Sequence, residues 1–538
     1  PIEKKNLGGL SRTKNLGVFL GMDRVGEKNQ LSPPKDSWGI VYVSFFLLGV
    51  GQLFPWNAFI TAASYFESRF CGSAHESTFE SDIGLTYNAA NVVALLVVVR
   101  YQNLLSRRSR VLGSLVAFLV LFSFVTATTC LTDLPIPVVY WSTIWSCVIC
   151  GILTAVNSGG VFGMVGSFPP LYMQAVMSGQ GLSGVTAAIV SAVAAFAENP
   201  CNDDDGGREE DLASGSCTEY RKVDLGAFSY FAMACLIFIL CIASYIALEQ
   251  SAFARHYDRR EWEEDRGMLG RKSGCSGEGL GNCSLASLDV LRSDGVGDAL
   301  IDAESESNSY SPLTDARDES SGKEETASSG DARSGMGCES PVGPTFAAAG
   351  SPPLLADYRR VLWAVRSEAF AVCAVFAVTI ALFPALTSRI RPGRERHCGS
   401  GDALFTGTTF TATLFVVFNL LDLIGRSLAG FFEVISREWL PAATASRLVF
   451  APVFALCNVG GSQFPVAMQS PWWPLLFMVL FALSNGYLST LAMIYGPQRV
   501  EQGGPDADLA GSIMVLALTL GLFSGSLLAY LTAFVVGY

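Results

Sequence analysis

Apolar residues in this chain gather in long runs instead of recurring every second position, as in a strand, or every third to fourth, as on a surface helix. The runs fall near residues 38–66, 84–105, 111–132, 138–168, 171–197, 225–248, 361–388, 404–435, 443–461, 473–495 and 508–536. An α-helix needs roughly 20 apolar residues to cross the hydrocarbon core of a bilayer, and each run is about that long or longer. Several exceed it, so tilt or protrusion is expected. The pattern predicts eleven membrane helices, six before a long polar stretch and five after it. Two bundles joined by a tether follow. The domains are a tail over 1–37, a first bundle over 38–249, a linker over 250–358 and a second bundle over 359–538.

Composition agrees with that reading. Only 16% of the 538 residues are charged, half are apolar, and the mean hydropathy is +0.38. An average soluble protein carries about 25% charged residues. A soluble enzyme and a single-anchor receptor are both excluded. The formal net charge of -12 says little about partners, because residues 250–358 hold 20 Asp or Glu against 10 Lys or Arg. That stretch is rich in Ser, Gly and Asp and lacks a periodic apolar pattern, so it reads as a disordered acidic linker. Its serines make phosphorylation an expectation; partner proteins are not indicated, and nucleic acid is not an expected partner.

Basic residues set the expected orientation. Lys4, Lys5, Arg12, Lys14, Arg24, Lys28 and Lys35 lie in the tail, where no short apolar core resembles a cleavable signal peptide. Placing the tail in the cytosol also puts Arg107, Arg108, Arg110, Arg255, Arg259, Arg260 and the linker inside. The arginines between Arg389 and Arg396 oppose this, but the majority favours a cytosolic N-terminus and an extracellular C-terminus at Tyr538. The plasma membrane is the expected location, with internal membranes left open by the sequence. Of 14 cysteines, Cys71, Cys201, Cys217 and Cys398 then fall on the oxidising side. Cys201 and Cys217 share one loop and form the candidate disulfide; Cys71 and Cys398 would staple the halves. Free thiols are the alternative. The sequon Asn282-Cys283-Ser284 lies in the linker and is expected to be unused.

The run 404–435 holds the most informative chemistry. Asp422 and Arg426 stand four residues apart within an apolar segment and can pair on one helix face. Each costs about 2.5–3.5 kcal/mol at the bilayer centre on insertion scales. With Asn419 they form a polar stripe that must face protein or water. A guanidinium fork and a carboxylate together can grip neighbouring hydroxyls of a sugar-like ligand, and the expected setting is a wet central hollow. The alternative is a structural ion pair, or Arg426 reaching to the headgroups. In the first run, Pro55 predicts a kink where Trp56 and Asn57 sit. An indole beside an amide makes a wall for a planar polar ring, or an interfacial tryptophan.

Glycines cluster at Gly159, Gly160, Gly163 and Gly166, again at Gly179, Gly181 and Gly184, and at Gly521 and Gly525. Small residues let helices approach closely, for packing or for sliding and gating. Gln180 is expected to bond helix to helix rather than to act as a gate. The sequence shows no Walker loop, no His/Cys metal cluster and no nucleophile elbow. No enzyme activity and no cofactor are expected, and transport would run on gradients.

These segments resemble the equilibrative nucleoside transporter family. The likeness rests on Pro55-Trp56-Asn57 with Phe59 to Ala62 and Tyr65-Phe66, on Met177 to Gly184 (MSGQGLSG), and on Asn419 to Ser427 (NLLDLIGRS). Asn485 to Leu488 with Gly496-Pro497, and Ala510 to Met514, extend it in order along the chain. The resemblance implies an all-α, major-facilitator-like fold of six plus five helices around a central cavity. It implies alternating-access movement of a nucleoside, and nucleobases as a further substrate class. By position, Asp422 and Arg426 would hold ribose hydroxyls, while Trp56, Asn57 and Ile60 would line the cavity. Where many members carry a base-contacting glutamine in the fourth helix, this chain has Asn157-Ser158, which leaves base preference open. Asp422 is the candidate for proton coupling, with facilitated diffusion and proton symport both open. The rival readings are a carrier for another small polar solute and a polytopic scaffold or receptor.

Overall fold

A computed structural model describes residues 34–62, 65–66, 69–70, 73, 79–102, 105–131, 134–197, 225–257, 355–392, 407–501 and 504–537. Most of the predicted tail and linker, all four loop cysteines (Cys201 and Cys217 among them) and the sequon lie outside the described residues.

The described residues are almost wholly helical. They contain α1 (Ile40–Thr61), α2 (Phe79–Arg100), α3 (Arg107–Cys130), α4 (Ile136–Gly166), α5 (Pro170–Ala197) and α6 (Leu225–Gln250). After the linker come α7 (Leu355–Leu382), α8 (Gly407–Ala429), the shorter α9 (Leu440–Ala455), α10 (Trp472–Tyr495) and α11 (Pro505–Val536). Ten of these are long and apolar enough to cross a membrane. α9 is the exception and corrects the predicted run 443–461. It is helical from Leu440 to Ser446, tightens to a 3-10 turn over Arg447–Val449, and ends at Ala455. Pro452 has no N–H for the carbonyl four residues back, which lies in the tightened turn. Beyond it, Cys457 and Val459 form isolated bridges with Met468 and Ile390 instead of continuing the helix. α1 likewise ends at Thr61, short of the predicted Phe66, although it carries Pro55 within it.

Helices pair first within each half. α1 packs on α5 and α6, α2 on α4, and α3 on α4 and α6; in the second half α7 packs on α11 and α10, and α8 on α10. The halves meet where α5 lies against α8 and α11 lies against α4 and α2. Glycines allow both seams. A methyl group at Gly163 would collide with the Asp508 carboxylate of α11, and one at Gly184 with the Asn419 side chain of α8. Gly179 does the same service inside the first half, where a methyl group would strike the Phe46 carbonyl of α1. The predicted close approaches at these three positions are therefore real contacts between named helices.

Consecutive helices alternate in direction, so the ends of α4 and α8 and the starts of α1, α5 and α11 share one face. The two seams lie in the half of the molecule nearest that face. At the α4–α11 seam, Arg107 and Arg110 of α3 each lie 3.7 Å from the Asp508 carboxylate.

Candidate functional site

Asp422 and Arg426 sit on the face of α8 that meets α5 and α10. Their spacing places Arg426 Nε 2.6 Å from Asp422 Oδ2, and each residue is only 5% exposed. The predicted pair is present, but it does not line an open hollow in this conformation. The reason is the α5–α8 seam: Gly181 brings the backbone of α5 close to Leu423 and to the aliphatic stem of Arg426. The burial is nonetheless polar. Arg426 Nη1 donates to the Met177 carbonyl and to Gln180 Oε1, both on α5, at 3.3 Å each. Within the first half, Gln180 Nε2 in turn donates to Gln52 Oε1 of α1 at 2.9 Å. Gln180 thus bonds helix to helix, as expected, and also receives the buried cation from the other half.

On its other side the pair reaches α10. Asn485 Nδ2 donates to Asp422 Oδ1 at 2.7 Å, and Asn485 Oδ1 accepts from Thr379 of α7 at 2.6 Å and from Arg447 of α9 at 3.2 Å. Arg447 is 1% exposed and also donates to the Val375 and Phe481 carbonyls and to Ser484 Oγ, at 3.0–3.2 Å. A continuous chain of hydrogen bonds therefore crosses α1, α5, α8, α10, α7 and α9. Sequence reading missed Arg447, although the signal was the same one that exposed Asp422: a lone charge inside an apolar run. It also counted Arg107 and Arg110 merely as orientation charges, whereas both are buried against Asp508.

The other expected site residues are spread more widely. Trp56 stacks on Tyr87 of α2 with ring centroids 4.6 Å apart, and Tyr87 in turn donates to Thr154 of α4 at 3.1 Å. Asn57 Nδ2 donates to Ser183 Oγ of α5 at 2.9 Å, one helical turn from Gln180. Ile60 is 41% exposed. Asn157 is turned into its own half: Nδ2 donates to Ser114 of α3 at 2.9 Å, while Oδ1 is buried with no hydrogen-bond partner. Ser158 is buried beside it. The structure joins Gln180, Arg426 and Asp422 directly and brings Asn57 near them through α5. It does not join Asn157, Ser158, Trp56 or Ile60 to the pair.

Chemically, the network is a string of fixed donors and acceptors that spans the junction of the halves. A family model described as "Nucleoside transporter" matches residues 144–534. The chain belongs to the nucleoside transporter family. Among relatives of this nucleoside transporter, it is 27% identical over 529 residues to equilibrative nucleoside transporter 1 of Homo sapiens, covering 93% of this chain and 98% of that one. It is 29% identical over 517 residues to equilibrative nucleoside transporter 2 of Mus musculus, with the same coverage. Among solved structures, the proton:xylose symporter XylE, a major facilitator superfamily member, aligns with a TM-score of 0.50 at 10% identity, covering 93% of this chain and 90% of that one. That likeness bears on the fold: the transporter is an all-α multi-pass membrane protein of major-facilitator type. The family is one of transporters rather than enzymes.

Proposed function

We propose that the chain moves nucleosides across the plasma membrane by alternating access, with the Asp422–Arg426 pair as the ribose-binding element. The observation that carries this reading is where Arg426 finds its partners. It is held by α8 of one half and bonds to α5 of the other, so separating the halves frees Nη1 from both its acceptors while Nε stays paired with Asp422. A donor left unsatisfied costs about 1–3 kcal/mol, which substrate hydroxyls entering the gap would offset. Closing and opening the α5–α8 and α4–α11 seams would then expose the site to one side at a time. Trp56, Asn57 and Ile60 would face the base once the halves part, and Asn157 and Ser158 would form a more distant wall. Gly163, Gly179, Gln180 and Gly184 belong to the moving seams.

Facilitated diffusion is favoured over proton symport. Both oxygens of Asp422 already accept hydrogen bonds, one from Arg426 and one from Asn485. Asp422 is thereby engaged as half of a buried ion pair and does not stand as a lone intramembrane carboxylate. The N-terminus is assigned to the cytosol and Tyr538 to the outside, on the Lys and Arg balance of the short loops, and the linker serines are assigned as phosphorylation targets.

The test is radiolabelled adenosine uptake into purine-auxotrophic cells expressing the chain, with uridine, adenine and glucose as competitors. Saturable uptake blocked by nucleosides and not by glucose is expected. Arg426→Ala should abolish uptake with surface expression kept; unimpaired uptake removes the residue from binding. Imposing a pH gradient on the wild type and on Asp422→Asn separates the two transport modes: a gradient-dependent wild-type rate would overturn facilitated diffusion.

A further inference from the structure

At the start of α7, Arg359, Trp363 and Arg366 follow one another at spacings of four and three residues, so they lie on one helix face. All three are exposed, Trp363 by 56%, and Phe370 one turn further along is 64% exposed. This face meets lipid, not another helix. α7 contains 28 residues, whereas crossing the hydrocarbon core takes about 20. The uncharged apolar stretch of α7 starts only after Glu368, so the turns before it, which carry Arg359, Arg360 and Arg366, are the ones suited to headgroup depth. Arg366 begins deepest, but helical side chains lean toward the N-terminus. Its guanidinium carbon lies 4.4 Å from the centroid of the Trp363 ring. The charge is thus folded back over the indole toward the headgroups, the posture of an arginine that cannot remain in hydrocarbon.

A shallow recess lined by Ala356, Arg359, Arg360 and Trp363 opens beside this stripe. The nearby acids are already engaged by Arg360. Its two terminal nitrogens lie 2.6 and 2.9 Å from the Asp506 oxygens, and Asp357 is 3.6 Å away. Among the described residues, Arg359 and Arg366 have no carboxylate partner. Arg100, at the end of α2, adds further positive charge nearby, its guanidinium 5.8 Å from the ring of Tyr358. Two free guanidinium forks flanking an indole at the membrane surface call for an anion that is itself confined to that depth. Arginine suits phosphate through its paired donors. The exposed Leu362 and Phe370 give apolar surface along which acyl chains can lie.

We propose that this stripe binds the phosphate-bearing headgroup of an anionic phospholipid, with Arg359 and Arg366 holding the phosphate across Trp363. The site lies on the outer wall of the second half, away from the Asp422–Arg426 pair, and is independent of the transported substrate. Anionic lipids enriched in a cytosolic leaflet match the face on which α7 begins.

Native mass spectrometry of the full chain in detergent, titrated with phosphatidylserine or phosphatidylcholine, tests this. The wild type should retain phosphatidylserine in preference, and the double variant Arg359→Gln/Arg366→Gln should weaken that first binding event roughly thirty-fold. The control Arg255→Gln removes a cation elsewhere and should change it little. An unchanged thermal midpoint of the double variant in phosphatidylcholine certifies its fold. Equal binding of the two lipids by the wild type, or equal losses in the double variant and the control, would overturn the proposal. Displacement by soluble glycerophosphoserine as effective as by the whole lipid would instead assign a site for free phosphate esters and would also overturn it.

Discussion

Asp422 and Arg447 are joined through one amide: Asn485 donates to the carboxylate at 2.7 Å and accepts from the guanidinium at 3.2 Å. The neutral amide bridges the carboxylate of α8 and the guanidinium of α9 by hydrogen bonds. It also fixes which Asp422 oxygen faces α10, leaving Oδ2 for Arg426. The ion pair on α8 is thus oriented from α9 and α10 as much as by its own helix.

Replacing Asn485 by Leu removes three bonds together, those with Asp422, Thr379 and Arg447. Each orphaned buried group costs about 1–3 kcal/mol. The expected result is a lowered thermal midpoint and a fall in nucleoside uptake of about tenfold or more at equal surface expression. Asn485→Asp keeps the acceptor but sets a second carboxyl against Asp422, and should impair uptake more than stability. Normal uptake in both variants would show that the Asn485 bridge is dispensable for transport.

Arg447→Lys keeps the charge and shortens the reach. An ammonium cannot satisfy the Val375 and Phe481 carbonyls, Ser484 and Asn485 at once in the geometry of a planar fork. A loss of about 2–4 kcal/mol is expected, read as early unfolding in a thermal assay of the purified protein. Stability equal to the wild type would show that the fork geometry is dispensable.

The seam between α4 and α11 depends on a missing side chain. Gly163→Val would drive against Asp508 and Ser512 and hold the seam open, so transport should fall while expression remains. Gly113→Ala is the control: a methyl group there meets nothing within 4 Å, and the helix gains about 1 kcal/mol of propensity. Equal effects of the two changes would show that the seam itself is not what matters.

The second seam can be tied shut. Ser178 Oγ of α5 and Ser427 Oγ of α8 are 3.3 Å apart. Cysteines at both positions are within reach of a disulfide. Oxidation should stop uptake and reduction should restore it, whereas either single cysteine should respond to neither. Full transport by the cross-linked protein would rule out separation of these helices during the cycle.

Much of the fold was legible in the sequence. Burial in lipid depends on the apolar character of each run taken alone, so the ten long apolar helices and their order follow from composition. α9 was misplaced because Pro452 and the bridged loop after it are as apolar as the helix. Asp422 and Arg426 were legible because a charge inside an apolar run must have a partner, and four residues is a spacing local to one helix. Sequence alone also marked the glycines as sites of close approach.

What those residues touch was decided by the tertiary structure. That Arg426 bonds to α5, that Arg447 leans on Asn485, and that Asn157 turns toward Ser114 all depend on how each helix is rotated and on how the halves dock. Periodicity gives a helix a polar face but does not say which neighbour covers it. Hydrogen bonds and ion pairs between helices reach only about 3 Å, so a small rotation exchanges one partner for another, while the apolar runs that set the topology tolerate it.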